Sequence, residues 1–210
     1  MITNWKYNQA GEIREFVKQH IDSNKYKTID IGASAMYWSY PECKYVADAV
    51  EIDRENLTFF KVDLEKKDTW SNIIEYVKNN GKFDFSICSH TLEDIFNPLD
   101  LIELLQIISN KGFIAIPSKY NEFTKLYGQK YRGNAHHKQF FDVRNNNLVI
   151  YPKFSWTETD ERSDILINNN QGSELSLFWE NEIPVEIFGN GIPFNSDQEL
   201  MNTYYNNLNN

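Results

Sequence analysis

Asp30-Ile31-Gly32-Ala33-Ser34, closing the apolar run Thr28 to Ile31, constrains this chain more than any other stretch. It reads as a buried strand that breaks into a turn of small residues. Eighteen positions after Asp30, at the close of Tyr45-Val46-Ala47, stands Asp48. A strand, a tight turn that lets backbone amides approach a ligand, and an acid about 20 residues on for a ribose together describe a nucleoside-binding crevice.

A dinucleotide demands glycine at three positions of such a turn, for close approach of the pyrophosphate and tight packing of the helix. Only Gly32 is present; Ser34 and Tyr37 take the other two places. Pro41 leaves little room for a long helix whose N-terminus would hold phosphate. A nucleoside without phosphates escapes both demands. S-adenosylmethionine is such a molecule: its ribose needs an acid, its amino-acid end needs amides and a carboxylate, and its sulfur is positive. The turn therefore favours a methyl donor over a nicotinamide.

The rest of the first ~120 residues alternates strands with helices, the pattern of a right-handed, doubly wound, mostly parallel α/β sheet. Ile13, Phe16, Val17 and Ile21 predict an amphipathic helix before the first strand. Further strands are expected at 45–50, 57–62, 83–88 and 113–116. Trp70, Ile73, Ile74 and Val77 predict a helix that Asn79-Asn80-Gly81 stops. Asn97-Pro98, a capping residue and a first-turn proline, opens another over Leu101 to Ile108. Beyond Pro117 two hairpins are expected, one around Asn145–Asn147 and one around Asn181-Glu182. Pro184 suits a sheet edge. The Asn-rich stretches, the C-terminal tail among them, read as loops. One domain of residues 1–210 is expected, with 1–118 holding the cofactor and 119–210 facing the acceptor.

With 21 basic against 30 acidic residues, the chain carries a formal charge of −9. It has no dense Lys/Arg cluster to displace counterions, so nucleic acid is not favoured as a partner. Cys43 and Cys88 are too few for a disulfide framework and are not spaced as a metal knuckle; Cys88 reads as a core residue. No apolar signal core begins the chain and no run of about 18 apolar residues would span a bilayer, so a soluble, cytoplasmic protein is expected.

Four segments together resemble the class I S-adenosylmethionine-dependent methyltransferases. Thr28 to Ser34 is similar to the family's glycine-rich first motif, and Asp48 falls at its ribose acid. Val62-Asp63-Leu64 resembles the acidic step beside the adenine. Ser89-His90-Thr91-Leu92-Glu93-Asp94, followed by Asn97-Pro98 and then Gly112-Phe113-Ile114-Ala115-Ile116-Pro117, is similar to the loop and fifth strand of a group in which a second His stands at the place of Asp94. The resemblance implies a seven-stranded sheet with an antiparallel C-terminal strand, the segment 174–188 supplying the last two strands. Ala135-His136-His137-Lys138 with Phe140-Phe141 looks similar to members from glycan-synthesis gene sets, which implies a sugar hydroxyl as acceptor.

Cofactor-binding residues are then expected to be Asp30, Gly32, Ala33, Ser34, Asp48, Ala49, Val62, Asp63, Leu64 and Ser89. A hydroxyl needs its proton removed as it attacks, and His is the commonest base. The candidates are His90, past the fourth strand, and one of His136 and His137, which on an extended chain would point opposite ways. Glu93 and Asp94 are weak candidates for a divalent metal such as Mg²⁺; a polar loop leading into the helix is the preferred reading, so no metal is expected. His20 reads as a helix-end residue. Lys119, Lys125, Lys130 and Arg132 read as a solvated basic face, with contact to a nucleotide-sugar or lipid-linked phosphate as the alternative. The rival readings are a methyltransferase on another small molecule, a NAD(P)-binding oxidoreductase and a non-catalytic cofactor-binding partner subunit.

Overall fold

The computed structural model describes residues 4–33, 39–125, 129–163, 172–189 and 194–208. Strand β1 is Lys6–Asn8, followed by helix α1 (Arg14–Asn24) and strands β2 (Thr28–Ile31), β3 (Tyr45–Asp48) and β4 (Thr58–Lys61). Helix α2 (Ser71–Asn80), β5 (Phe85–Ser89), α3 (Pro98–Ile108) and β6 (Lys111–Pro117) continue the alternation. A short α4 (Lys119–Glu122) leads to β7 (Gln139–Arg144) and β8 (Asn147–Pro152), then β9 (Glu174–Glu180), β10 (Val185–Ile187) and α5 (Asp197–Leu208).

Seven strands form one sheet in the order β1-β9-β6-β5-β2-β3-β4. Those from β6 to β4 are mutually parallel, and β9 runs antiparallel to β6. The α/β reading therefore holds, with one correction. Residues 174–188 do not supply two strands of this sheet. β9 enters it, but β10 pairs parallel with β8 in a separate three-stranded sheet, and the N-terminal β1 takes the edge beside β9. The apolar pattern of residues 183–188 identified a strand without naming its partner. Pro184 lies just outside β10, where its carbonyl accepts from Leu148 N–H.

The β7–β8 hairpin is as expected. Asn145 and Asn146 both adopt positive φ between paired Arg144 and Asn147, the geometry of a two-residue turn that matches strand twist. Its Phe141, Leu148 and Ile150 join the main core, while Phe140, Val149 and Tyr151 pack against Tyr204 and Leu208 of α5. The Asn-rich tail is thus helical over 197–208. Each buried aromatic or aliphatic side chain adds about 1.5–3 kcal/mol, which overrides a weak local preference. The stretch Asn168 to Asn170 lies outside the described residues.

Both faces of the central strands are covered, as the unbroken burial of β5 requires. Phe85 and Ile87 meet Val17 and Ile21 of α1, whereas Cys88 faces the core built on α2 and α3. Gly81, at φ 75°, ends α2. Asn97 does not cap α3 with its side chain; its carbonyl accepts from Asp100 N–H instead. The basic stretch is not one solvated face. Lys119 is buried against Asp142 (2.8 Å), and Arg132 is buried too. His20 packs among Phe16, Tyr26, Phe85 and Phe178, and burial lowers its pKa. No helix among the described residues is long and apolar enough to cross a membrane.

Candidate active site

The carboxyl ends of β2, β3 and β5 converge where a doubly wound sheet places its ligands. Asp30 and Asp48 end two neighbouring strands, and both side chains are buried. Asp30 Oδ2 accepts from Tyr40 N–H at 2.7 Å. Burial raises the Asp30 carboxyl to about 7, against the opposing pull of that hydrogen bond and of Arg14. Asp48 Oδ1 accepts from Val50 N–H at 3.0 Å, and Val62 N–H donates to the Asp48 carbonyl, tying the end of β4 to that of β3. Ala49 is exposed, and Val50 beside it leaves 62% of its surface in solvent.

Gly32 turns at φ 76°, and a Cβ there would lie 2.2 Å from Thr91 Oγ1. The glycine is required by the loop after β5 pressing on the turn after β2. Ala33, Val62 and Leu64 are buried, as is Ser89 at the end of β5. Ser34 and Tyr37 lie outside the described residues. Asp63 is turned to local work: its Oδ1 accepts from Glu65 N–H at 3.0 Å, and Lys66 pairs with it at 2.7 Å and, with Glu65, lowers its pKa.

Asp30 and Asp48, on neighbouring strands, are the carboxylates that an adenosine carrying a cationic amino end would need, and both are buried. The space in front of Ser89 is small. Between Tyr40, Arg14, Ala115 and Glu174 about 10 Å³ remains.

His90 leaves β5 at φ 52°, a left-handed conformation that side chains rarely adopt, held by His90 N–H donating to Ala115 O at 2.8 Å. Its ring lies between two buried acids: Nε2 is 3.0 Å from Glu174 Oε2 and Nδ1 is 3.3 Å from Glu93 Oε1. Desolvation pulls the imidazole down, but the hydrogen bonds to Glu174 and Glu93 outweigh it and raise it to about 9. Burial raises the Glu93 carboxyl more than His90 lowers it. The ring is therefore a cation at neutral pH.

Glu174 was not among the expected site residues. It comes from β9, whose register sets it opposite Pro117 at the end of β6, and Gly11 N–H also donates to it (3.4 Å). Nothing local in Ser173-Glu174-Leu175 signals this; only the antiparallel pairing of β9 with β6 brings it to His90, 84 residues away in sequence. Glu122 is the second such residue. Its Oε1 lies 2.6 Å from His137 Nδ1; desolvation pulls that imidazole down, and Glu122 together with Glu93 and Asp94 raises it on balance.

His90, Glu93, Asp94, Asn121, His136 and His137 line one cleft of about 420 Å³. Both His136 and His137 face it, contrary to the expectation for an extended pair. They sit in a turn, with ring centroids 4.5 Å apart, His137 buried and His136 exposed. Lys138 N–H donates to Glu93 O at 2.6 Å and draws the turn against the loop after β5. Glu93 and Asp94 diverge, Glu93 toward His90 and Asp94 toward His136 and His137.

No protein-family profile and no curated protein matches the chain. Among solved structures, the methyltransferase domain of bacterial CtHen1-CN is 10% identical with a TM-score of 0.42, over 81% of this chain and 99% of that one. A putative S-adenosylmethionine-dependent methyltransferase from Listeria monocytogenes is 12% identical (TM-score 0.37, 80% and 96% covered). A putative methyltransferase complexed with the Trm112 activator of Haloferax volcanii is 10% identical (TM-score 0.37, 81% and 93% covered).

Proposed function

We propose that this chain is an S-adenosylmethionine-dependent O-methyltransferase acting on a sugar hydroxyl, in a glycan or an activated sugar. The observation that carries this reading is the packing of Gly32 against Thr91. With the nucleoside held at the turn after β2, this packing would put it directly beside the residue that follows His90, and donor crevice and acceptor cleft would adjoin. Asp48 would bind the ribose and Asp30 the cationic amino end. Ala33, Ser34, Ala49, Val62, Asp63, Leu64 and Ser89 would complete the crevice.

When bound, S-adenosylmethionine supplies a methyl group on a positive sulfur, open to in-line displacement by an acceptor oxygen. Holding the acceptor in line accounts for most of the acceleration; well-oriented pairs reach effective molarities of about 10⁵–10⁸ M. Asn121, Asn134 and Ser173 offer amides and a hydroxyl that suit a polyhydroxylated acceptor. His90, a cation between two carboxylates, orients and donates hydrogen bonds at neutral pH and does not accept a proton. The acceptor's proton falls to the cluster of Asp94, His136 and His137.

Thermal-shift titration tests the cofactor: a ligand at 100 times its Kd stabilises a protein by about 2.7 kcal/mol. S-adenosylhomocysteine is expected to stabilise and NAD not to; the reverse result overturns the reading. Transfer of labelled methyl groups to a panel of sugars tests the acceptor. Turnover of phenols or small amines with none of sugars would remove the sugar assignment and leave the methyl transfer.

A further inference from the structure

We propose that Asp94, His136 and His137 bind a divalent first-row transition-metal ion at the mouth of the acceptor cleft. Its part in the reaction rests on the methyl-transfer reading above; the site itself rests on the side chains.

One ligand atom from each of the three residues lies within 4.8 Å of the others. The Nε2 atoms of His136 and His137 approach the same oxygen, Asp94 Oδ1, at 3.7 and 3.9 Å. These separations are too long for hydrogen bonds. They are close to the edge of a metal polyhedron, about 3.3 Å for a tetrahedral ion with bonds near 2.0–2.1 Å. Closing the difference asks little of His136, whose side chain is 68% exposed.

His137 is already oriented for such a role. His137 Nδ1 lies 2.6 Å from buried Glu122 Oε1; as an Nδ1–H donor to that carboxylate, neutral His137 would turn its Nε2 lone pair toward Asp94 and His136. A carboxylate behind a histidine is the usual support of a metal-bound imidazole.

The donor set selects the metal. Two imidazoles and one carboxylate suit Zn²⁺, Mn²⁺, Fe²⁺, Co²⁺ or Ni²⁺, whereas Mg²⁺ and Ca²⁺ prefer oxygen ligands throughout. Three protein ligands leave coordination positions for water or substrate. An acceptor hydroxyl taking one of these would have its pKa lowered and its proton released to solvent, which is how the cluster would dispose of it.

The experiment uses the full chain, stripped with EDTA. Zn²⁺ is titrated by calorimetry, and Co²⁺ by its visible d–d absorption. One equivalent is expected, with affinity lowered at least about tenfold in His136→Ala and Asp94→Asn, and about 10–100-fold in Glu122→Gln. His20→Ala, away from the cluster, should bind as the native chain does. His136 is exposed, so its variant retains the fold, which circular dichroism checks. No saturable uptake, equal affinity in His136→Ala and Asp94→Asn, or displacement of Zn²⁺ by equimolar Mg²⁺ would each overturn the site. S-adenosylhomocysteine is titrated separately in EDTA. Stabilisation by it without metal uptake defeats the metal site alone, and uptake without stabilisation defeats the methyl-transfer reading alone.

Discussion

Asp30 Oδ2 accepts a hydrogen bond from the backbone N–H of Tyr40 at 2.7 Å, inside the core rather than at its surface. Burial holds that carboxyl near 7, so it loses its charge just below neutral pH. If the ionised form holds the amino end of the methyl donor, S-adenosylhomocysteine affinity should fall about tenfold per pH unit below 7. Calorimetry across pH 5.5 to 8 checks this, and Asp30→Asn should bind weakly with a flat profile. The stability effect has the opposite sense. A carboxyl raised in the folded state favours folding while protonated, so stability falls as pH rises from about 4 to about 7. Asp30→Asn should therefore melt higher than the native chain at pH 8.

His90 predicts a loss of stability on the alkaline side. Its ordinary value is 6.5 and its folded value about 9. The imidazolium's contribution is complete below about pH 6.5 and disappears as pH rises through about 9. The melting temperature of the native chain should drop between pH 7 and 10, and His90→Gln should remove most of that slope. At pH 7, His90→Ala should destabilise by about 3–5 kcal/mol, because it leaves Glu93 and Glu174 buried without their cation.

Lys119 ties three parts of the chain together. Its Nζ donates to Asp142 Oδ2 at 2.8 Å and to the carbonyl of Leu208 at 2.6 Å, while Tyr7 Oη–H donates to Asp142 Oδ1 at 2.5 Å. Lys119→Met should cost about 3–5 kcal/mol by stranding Asp142. The double variant Lys119→Met with Asp142→Leu should recover much of this, and chemical denaturation of the four-member cycle measures the coupling.

Gly32 should not tolerate a methyl group. Gly32→Ala combines a positive φ with an approach of 2.2 Å to Thr91 Oγ1. A loss of about 1 kcal/mol is expected from the backbone, with a further 1–3 kcal/mol from overpacking. Thr91→Gly in the same chain should return the packing part only. Urea titration separates the two, and equal stability of single and double variants would show that Thr91 is not what the glycine makes room for.

Apart from β1, whose partner is the distant β9, the strands and helices up to Pro117 were legible because both of their periodicities are local. Ile29 and Ile31 alternate with Asp30, and Ile73 and Val77 recur at helical spacing. Residues 183–188 show where this stops. Their pattern identifies a strand, but β8 became its neighbour only through pairing with a distant segment. The tail was misread for the same reason: its asparagines are poor helix formers, and Tyr204 and Leu208 form α5 only because β7 and β8 present an aromatic face to them.

The candidate site divides along the same line. Asp30, Gly32, Asp48, His90 and the two adjacent histidines could be picked out from the chain alone, since each stands at or near the end of a recognisable strand or in a recognisable motif. Their charges and partners could not. Glu174 reaches His90 through the β6–β9 register, and Glu122 reaches His137 through the turn that closes on Glu93. Residue order carries the chemistry available to a site, because side-chain identity and local period are written in it. Protonation, burial and the meeting of Asp94 with His136 and His137 depend on which distant backbones pair, and that is settled only when the chain packs.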